Sequence, residues 1–513
     1  MAQIVIFGVR IARLFDRETV TLEAEGPCWR AINVTDDIKM AASTQLNSHV
    51  PLVIFTVSVL GLLLASVQAA KVQPEFTMTK GTLNLSKGYV PVACQDGEEV
   101  RADRLRKNAE VQAVSDPHVA KHIVAAWVGG QSIITSTSFN GGKSWSVARP
   151  LRLNACLNTS LADYKGGADP GVAFGPGQTV YVSGLVGRRS MDRQAVAVDT
   201  SRDGGLTWDD PVVLQTEPDG SPELDNTSLV ADPENSGLAY LATEFITDDS
   251  TSAIGFARTT DYGRTWSAVR PITPLVEGRR FSPVLGIEPG AKRVFSFAYV
   301  REAGRTWIGF IHSEDHGSTW SAPREITSTV PPRIETKLGA SAIPFESAQD
   351  ILRVAFVPKS KMLHVVFADA RTTDSNRLAI SMISSSDGGK TWEAPVQVST
   401  PSEGHAFQPA LAVKPSGEVG VLYYDTRSTF PERPGKTLPI SIWLRILSSN
   451  GRMKEVLFDQ FNYAGLGRRG LLDYQSLLVC GGEFHAVYTK SDLRPDQTAT
   501  TETDSSATDI YFR

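Results

Sequence analysis

From about residue 110 to the last residue, short runs of apolar and β-branched residues alternate with turns rich in glycine, aspartate and serine. The second of these cycles is the clearest, with strand-like runs at 171–175, 180–185, 195–200 and 211–214. Runs of this length and composition, separated by turn residues, are typical of antiparallel strands. Because the cycle recurs, the pattern predicts an all-β fold built from repeated four-stranded sheets.

Each cycle is marked by the motif Ser/Thr-x-Asp-x-Gly-x-Thr-Trp, which we call the box. Complete boxes occupy residues 201–208, 259–266, 313–320 and 385–392, and a fifth at 138–145 replaces aspartate by asparagine. The box tryptophans are separated by 63, 58, 54 and 72 residues. These intervals fit one four-stranded blade of a β-propeller with loops of variable length.

The box has a local, structural chemistry. A carboxylate or amide oxygen accepts backbone N–H bonds across a tight turn, glycine supplies positive φ, and tryptophan anchors the turn on the core. We therefore predict a structural role for the acidic or amide residue of each box, namely Asn140, Asp203, Asp261, Asp315 and Asp387.

The number of blades follows from the starts of the innermost strands. Seven such starts are predicted, at His118, Gly171, Thr227, Pro283, Arg353, Pro409 and Gln475. The last repeat has three strands of its own, and residues 75–85 are suited to supply its fourth, which would close the ring and remove exposed strand edges. The sequence thus predicts seven four-stranded antiparallel blades closed by an N-terminal strand, with six blades as the alternative.

Residues 52–67 form an uncharged apolar run. As a helix this run spans about 24 Å, short of the roughly 30 Å hydrocarbon core of a bilayer. Val67 and Ala69 have the small-residue spacing of a signal peptidase site. We expect residues 1–69 to be an N-terminal extension with a cleaved signal peptide, and residues 70–513 to be one secreted propeller domain. The alternative is a single-pass membrane anchor through 52–67.

Export would allow disulfides and glycans. Three cysteines follow the expected cut, Cys94, Cys156 and Cys480, and we take Cys94 with Cys156 as the candidate pair. Three Asn-x-Ser/Thr sequons begin at Asn84, Asn158 and Asn226. They agree with a secreted glycoprotein.

Charge and motifs exclude several classes of partner. The formal net charge is -5, with no basic run of the kind that binds nucleic acid. Gly142-Lys143-Ser144 is no phosphate loop, because Thr137 stands where its first glycine belongs. His118 and His122 follow Pro117 in a strand-like stretch and do not make a helical metal site. We expect no cofactor and no metal.

The boxes join third to fourth strands and so share one face of the ring. The opposite face carries the segments before each first strand and after each second strand, which hold Asp169, Asp225, Glu244 and Arg280. Asp-x-Arg recurs on this face at 369–371, 425–427 and 492–494. Because the recurrence is periodic, ion pairing between blades is one reading of these pairs and ligand binding is the other.

Over residues 110–513 the chain resembles the sialidase superfamily, first through the boxes and then through Asp473-Tyr474-Gln475-Ser476-Leu477-Leu478, which is similar to the segment that carries the sialidase nucleophile. The resemblance implies Tyr474 as nucleophile and Glu244 as its base. It implies an arginine cluster for a substrate carboxylate, for which the positions on the ring suggest Arg280, Arg371 and Arg427. Asp169 and Asp225 are the candidate general acids.

One part of the family pattern is missing. The first blade opens with Asp116-Pro117-His118 and contains no Phe/Tyr-Arg-Ile-Pro segment, the usual source of the first arginine. Two functions therefore stay open. The first is an exo-sialidase-type glycoside hydrolase acting on acidic sugars of glycoconjugates, and the second is a propeller that binds glycan or protein without catalysis.

Overall fold

The computed structural model describes residues 4–6, 9–12, 21–24, 82–87, 108–130, 132–153, 166–187, 194–216, 223–235, 237–247, 251–331, 351–373, 377–402, 404–427, 438–463, 474–491 and 508–513. The chain divides into two compact units, Met1–Gln73 and Pro74–Arg513. The described part of the first unit is an antiparallel sheet of β1 (Ile4–Ile6), β2 (Val9–Ala12) and β3 (Thr21–Ala24).

The second unit is a propeller of seven antiparallel blades, and each blade runs from an inner to an outer strand. The first strand of this unit is β4 (Leu83–Asn84). Blade 1 contains β5 (Asn108–Ser115), β6 (Ile123–Gly129), β7 (Ser132–Ser138) and β8 (Arg149–Pro150). Blade 2 contains β9 (Gly166–Phe174), β10 (Val180–Gly187), β11 (Gln194–Ser201) and β12 (Val212–Thr216). Blade 3 contains β13 (Glu223–Ala231), β14 (Ala239–Ile246), β15 (Thr251–Thr259) and a divided outer strand, β16 (Arg270–Pro271) and β17 (Val276–Glu277).

The remaining blades follow the same order. Blade 4 contains β18 (Arg279–Ile287), β19 (Val294–Glu302), β20 (Arg305–Ser313) and β21 (Arg324–Thr329). Blade 5 contains β22 (Leu352–Val357), β23 (Met362–Asp369), β24 (Ala379–Ser385) and β25 (Val396–Gln397). Blade 6 contains β26 (Ala406–Val413), β27 (Val419–Asp425), β28 (Leu438–Leu447) and β29 (Met453–Tyr463). Blade 7 contains β30 (Ser476–Cys480), β31 (Glu483–Ser491), β32 (Thr508–Phe512) and β4.

The ring closes where β4 pairs with β32, so an N-terminal strand completes the last blade as predicted. The Asp509 carboxylate fixes this junction. It accepts hydrogen bonds from Asn84 Nδ2 at 3.0 Å, Ser86 Oγ at 2.7 Å and Asn108 Nδ2 at 3.1 Å. Seven blades are therefore confirmed and six are excluded. The closing strand that the structure describes is Leu83–Asn84, while residues 75–81 of the predicted strand lie outside the described residues.

One predicted strand start is wrong. The inner strand of blade 1 is β5, which ends at Ser115, and His118 lies in the turn after it. The Asp116 side chain caps that turn by accepting N–H bonds from His118 and Val119, at 2.8 and 3.0 Å. The strand was missed because a bulge at Glu110 interrupts the alternation of apolar and polar residues on which a sequence-based prediction depends.

The boxes form the predicted turns and also join neighbouring blades. Asp261 accepts hydrogen bonds from Thr265 N at 2.9 Å and Thr265 Oγ1 at 2.7 Å. The box of blade 4 packs directly on blade 3, where a Cβ atom at Gly317 would lie 2.4 Å from the Phe256 ring. Arg258 of blade 3 donates to the His316 carbonyl of that box at 2.6 Å. The boxes therefore contribute to the contacts between blades as well as to the turn within each blade.

Several predictions about processing lie outside the described residues, namely the apolar run 52–67, the cut after Ala69, the Cys94–Cys156 pair and the Asn158 sequon. Cys480 is a buried free thiol. Asn84 lies within the closing strand, and Asn226 lines the central cavity. Within the part of the chain that the structure describes, no helix has the length and apolar character needed to cross a membrane.

Candidate functional site

The inner strands of all seven blades enclose a central cavity of about 660 Å³. Its polar lining comes from the beginnings of inner strands and the ends of second strands, so it lies on the face opposite the boxes. The polar residues of the lining include Glu110, Asp169, Asp225, Asn226, Glu244, Arg280, Arg301, Arg353 and Tyr474. Farther along the same strands the lining becomes apolar, with Val114, Val172, Val230, Leu285, Val354, Leu411 and Leu477. A polar mouth above an apolar floor is the usual construction of a small-molecule site.

The charges of the cavity are divided between two walls. Blades 1 to 3 supply the carboxylates of Glu110, Asp169, Asp225 and Glu244, which we call the acidic wall. Blades 4 and 5 supply the guanidinium groups of Arg280, Arg301 and Arg353, which we call the basic wall. The division suits a ligand that has a carboxylate at one end and hydroxyl groups at the other, because guanidinium binds carboxylate in a bidentate fork and carboxylates accept hydroxyl hydrogen bonds.

Arg280 stands where the two walls meet. Its Nε and Nη2 donate to Glu244 Oε1 and Oε2 at 2.9 and 3.1 Å, and its Nη2 lies 3.7 Å from Asp225 Oδ2. The Glu244 side chain is 2% exposed and also accepts the Phe281 backbone N–H at 2.7 Å. Burial raises the pKa of Glu244, and the hydrogen bond from Arg280 opposes part of that rise. With 51% of its side chain exposed, Arg280 keeps a surface for a ligand.

Tyr474 reaches across the cavity from blade 7. Its hydroxyl donates to Asn226 Oδ1 of blade 3 at 3.1 Å. The Arg353 guanidinium of blade 5 lies over the phenol ring, 5.0 Å from its centroid. Blades 3, 5 and 7 are not neighbours in the ring, so these two contacts hold the phenol from two separate directions across the cavity. Tyr474 has φ of 77°, a left-handed conformation that is strained for a bulky residue and is often found at functional sites.

Left-handed residues recur at the mouth of the cavity. Glu110, Asp169, Asn226 and Gln408 have φ between 48° and 53° and lie where the inner strands bulge out of register with their neighbours. The first two are joined across blades, because the Asp169 N–H donates to Glu110 Oε2 at 2.8 Å. A β-bulge redirects side chains that a regular strand would hold in alternation. Here three residues that lie at bulges, Glu110, Asp169 and Asn226, also belong to the polar lining of the cavity.

Of the residues predicted for the site, Tyr474, Glu244, Asp169, Asp225 and Arg280 all line this cavity. Glu244 is buried and is therefore not a solvated loop acid. Its described partners include the Phe281 backbone N–H and the Arg280 guanidinium, and its role as the base for Tyr474 stays a prediction.

Arg371 and Arg427 are not among the described residues that line the cavity. The Arg371 Nε bonds the buried Asp369 carboxylate, and its Nη1 donates to Thr327 Oγ1 of blade 4 at 3.2 Å. The ion pair therefore lies within blade 5, and Arg371 reaches blade 4 only through hydrogen bonds to neutral groups, so this pair is not the ion pair between blades that the periodic Asp-x-Arg pattern suggested. Arg371 therefore has a structural role. Substrate binding by Arg371 stays a prediction, and its position does not support that prediction.

Arg427 is held within blade 6. Its Nη2 donates to Asp425 Oδ2 at 2.9 Å, its Nη1 donates to Glu455 Oε2 at 3.0 Å, and its guanidinium lies 4.4 Å from the centroid of the Trp443 ring. Only 18% of the side chain is exposed. Two carboxylates and an aromatic ring already contact the guanidinium, so Arg427 has a structural role, as Arg371 does. Substrate binding by Arg427 stays a prediction.

Three residues of the cavity were missed by the sequence analysis. Glu110 fell outside the strand predicted for blade 1, Asn226 was read as a sequon, and Arg353 was read as the start of a strand. Each sequence signal was local, whereas the contact partners come from blades far apart in the chain. The signals that pointed to this place were the Tyr474 segment and the positions of Asp169, Asp225, Glu244 and Arg280 in the repeat.

Neither the models of protein families nor the curated proteins gave a match to this chain. Among solved structures, the chain is similar to a Hadza microbial sialidase (17% identity, TM-score 0.41), and the match covers 63% of this chain and 64% of that one, less than two thirds of its length. It is similar to the phage phi92 endosialidase (11% identity, TM-score 0.45), with 79% and 68% of the two chains covered. It is also similar to an α-L-arabinofuranosidase of Fusarium graminearum (12% identity, TM-score 0.41), with 84% and 98% covered. Similarities of this extent carry no information about what this chain binds or whether it is an enzyme.

Proposed function

We propose that the chain is a glycoside hydrolase that binds an acidic sugar of a glycoconjugate in the central cavity and uses Tyr474 as its nucleophile. The observation that carries the proposal is the placement of the Tyr474 hydroxyl, which is held over the cavity between the acidic wall and the basic wall. A neutral phenol is suited to attack an anionic sugar, because a carboxylate nucleophile would repel the carboxylate of the substrate.

The walls suggest how such a substrate would lie. Its carboxylate faces Arg280, Arg301 and Arg353, where each charge-assisted hydrogen bond contributes about 1.5 to 3 kcal/mol. Its hydroxyl groups face the acidic wall, and the anomeric carbon lies next to the Tyr474 oxygen. The Glu244 carboxylate orients Arg280 through two hydrogen bonds, which reduces the entropy lost when the arginine binds a ligand.

The chemical steps follow from these positions. The Tyr474 oxygen bonds to the anomeric carbon while the bond from that carbon to the leaving oxygen breaks. The phenolic proton passes to Glu244, the carboxylate bonded to Arg280, and returns to the tyrosine oxygen when that oxygen leaves the anomeric carbon in the hydrolysis step. Asp169 donates a proton to the leaving oxygen, and as a carboxylate it then removes a proton from the water that hydrolyses the tyrosyl intermediate. Asp225 is the alternative general acid.

The first experiment asks whether the chain has hydrolase activity and which charge it prefers. The full chain is incubated with fluorogenic aryl glycosides of a sialic acid, of a hexuronic acid and of neutral arabinofuranose, and release of the fluorescent phenol is followed. The proposal expects turnover of an acidic glycoside and little turnover of the neutral one. Turnover of the neutral sugar alone would contradict the assignment of the basic wall as a carboxylate site.

Two observations favour a second function. The acceptor of the Tyr474 hydroxyl is the amide oxygen of Asn226, which cannot take up the phenolic proton, and the buried Glu244 is occupied by Arg280. Both facts suit a propeller that binds an acidic glycan or a protein in the same cavity without cleaving it. In that case no glycoside in the panel is cleaved, whereas an acidic glycan binds in calorimetry and the affinity falls in Arg280→Lys.

Export is part of the proposal. The apolar run 52–67 and the small residues before Ala70 support a cleaved signal peptide, and a glycoconjugate substrate outside the cell agrees with this location. These segments lie outside the described residues.

A further inference from the structure

We propose that Asn226 is a positioning residue that holds the Tyr474 hydroxyl at the mouth of the central cavity. The role of the phenol as nucleophile rests on the proposed function, whereas the contact between the two side chains does not. Tyr474 and Asn226 belong to blades 7 and 3 and are 248 residues apart in the chain, yet their side chains meet at 3.1 Å. Because the two residues belong to blades that are not neighbours in the ring, the contact forms only when the ring is assembled.

Backbone geometry supports a directed contact. Asn226 has φ of 52° at the bulge between Asp225 and Thr227. Asparagine is one of the few residues with a side chain that adopts this left-handed conformation readily. The bulge is itself held, because Thr227 Oγ1 donates to the Asp169 carbonyl of the preceding blade, and Thr243 Oγ1 donates to the Asp225 carbonyl at 2.9 Å. The acceptor oxygen of Asn226 therefore has a fixed position opposite blade 7.

The position of the ring is set independently. The Arg353 guanidinium lies over the Tyr474 ring at 5.0 Å, while Asn226 contacts the hydroxyl. One contact defines the plane of the ring and the other defines the direction of the O–H bond. Together they hold the phenol oxygen beside Asn226, which follows Asp225 of the acidic wall, while the phenol ring contacts Arg353 of the basic wall.

The chemistry of the acceptor also matters. An amide oxygen accepts the hydrogen bond from the phenol O–H group but does not take up its proton, so Asn226 orients the phenol without ionising it. A carboxylate at the same place would repel the phenolate and shift its titration to higher pH. Asn226→Asp is nearly isosteric and suits the same backbone conformation, which makes the two acceptors directly comparable. Asn226→Gly removes the acceptor and retains a residue that favours positive φ.

The experiment measures the titration of Tyr474 directly. Absorbance at 295 nm is recorded against pH for the full chain, and the curve of Tyr474→Phe in the same background is subtracted. In Asn226→Asp we expect the midpoint of the Tyr474 titration to rise by about one pH unit or more. Gln178→Gly is the matched control, because Gln178 has φ of 65° in an exposed turn away from the cavity. In this variant the midpoint of the Tyr474 titration should be the same as in the wild type.

Kinetics supply the second readout where the chain turns over a glycoside. Asn226→Gly should lower kcat by about tenfold or more with KM changed by less than about threefold, because positioning acts on the reacting oxygen and not on substrate binding. Asn226→Asp should restore part of kcat and change the pH profile. A midpoint of the Tyr474 titration that is the same in wild type and Asn226→Asp would overturn the proposal. That result is independent of catalysis, so an inactive wild type would contradict the proposed function and leave the Asn226 contact to be decided by the titration.

Discussion

Asp199 gives a sharp test of the burial of polar groups within the ring. This residue of β11 is fully buried, and its Oδ1 accepts the Thr200 backbone N–H at 2.9 Å. Burial raises the pKa of Asp199 to about 8, and the hydrogen bond from Thr200 opposes part of that rise. The unfolded chain has an aspartate pKa of about 3.9. At neutral pH the folded protein therefore holds Asp199 protonated, and the unfolded chain holds it ionised.

The sign and size of the effect follow from this difference. Folding takes up a proton between about pH 4 and pH 8, so the contribution of Asp199 to stability is fully present below about pH 4 and is lost as pH rises to about 8. The slope approaches about 1.4 kcal/mol per pH unit. Between pH 5 and pH 7 the wild type should lose about 2 to 3 kcal/mol of unfolding free energy through this group alone.

The perturbation is Asp199→Asn, which keeps the shape of the side chain and removes the titration. The assay is equilibrium unfolding in urea at pH 5, 6 and 7 for both proteins, with Glu393→Gln as the control at an exposed position. Any constant effect of the new amide cancels when the two proteins are compared across pH. The variant should gain about 2 to 3 kcal/mol relative to wild type between pH 5 and pH 7. A difference that is the same at all three pH values would refute the reasoning.

Three further predictions concern structural parts of the ring. Asp261→Ala removes three hydrogen bonds of a box, so it should lower unfolding free energy by about 1 to 2 kcal/mol and leave ligand affinity unchanged, as thermal unfolding and calorimetry would show. A chain that begins at Ser86 lacks the β4 strand, and its melting temperature should fall by several degrees; normal melting would contradict closure by that strand. Arg371→Met leaves the buried Asp369 carboxylate without its guanidinium and should lower stability, whereas retained stability with lost ligand binding would restore Arg371 to the site.

The repeat pattern of the sequence predicted most of the fold because the box is a local device. Its carboxylate, glycine and threonine interact within eight residues, so the motif identifies the turn without knowledge of the rest of the chain. The four strands predicted for blade 2 agree with β9 to β12 within a few residues at each end, apart from the start of β9 at Gly166. Alternation failed where bulges add residues, as at Glu110, because the side-chain period of two is then interrupted.

The candidate site was predicted only in part because it is assembled from distant blades. Tyr474 was recognised from a short segment, and Arg280 from its place in the repeat. Asn226 and Arg353 contact Tyr474 across the ring, and no local pattern records that contact. Arg371 and Arg427 show the opposite case. They lie in the part of the repeat that faces the site, yet nearby acids hold both guanidinium groups. Position in the repeat defines the face of the ring, whereas side-chain partners decide which residues are available to a ligand.

We propose Tyr474 as the nucleophile of a hydrolase for acidic sugars. The most direct measurement is steady-state turnover of the fluorogenic acidic glycoside by wild type and by Tyr474→Phe, which removes the attacking oxygen and keeps the aromatic ring. The account predicts that kcat falls by about a thousandfold or more, with KM and the melting temperature little changed. Equal turnover by wild type and Tyr474→Phe would contradict it.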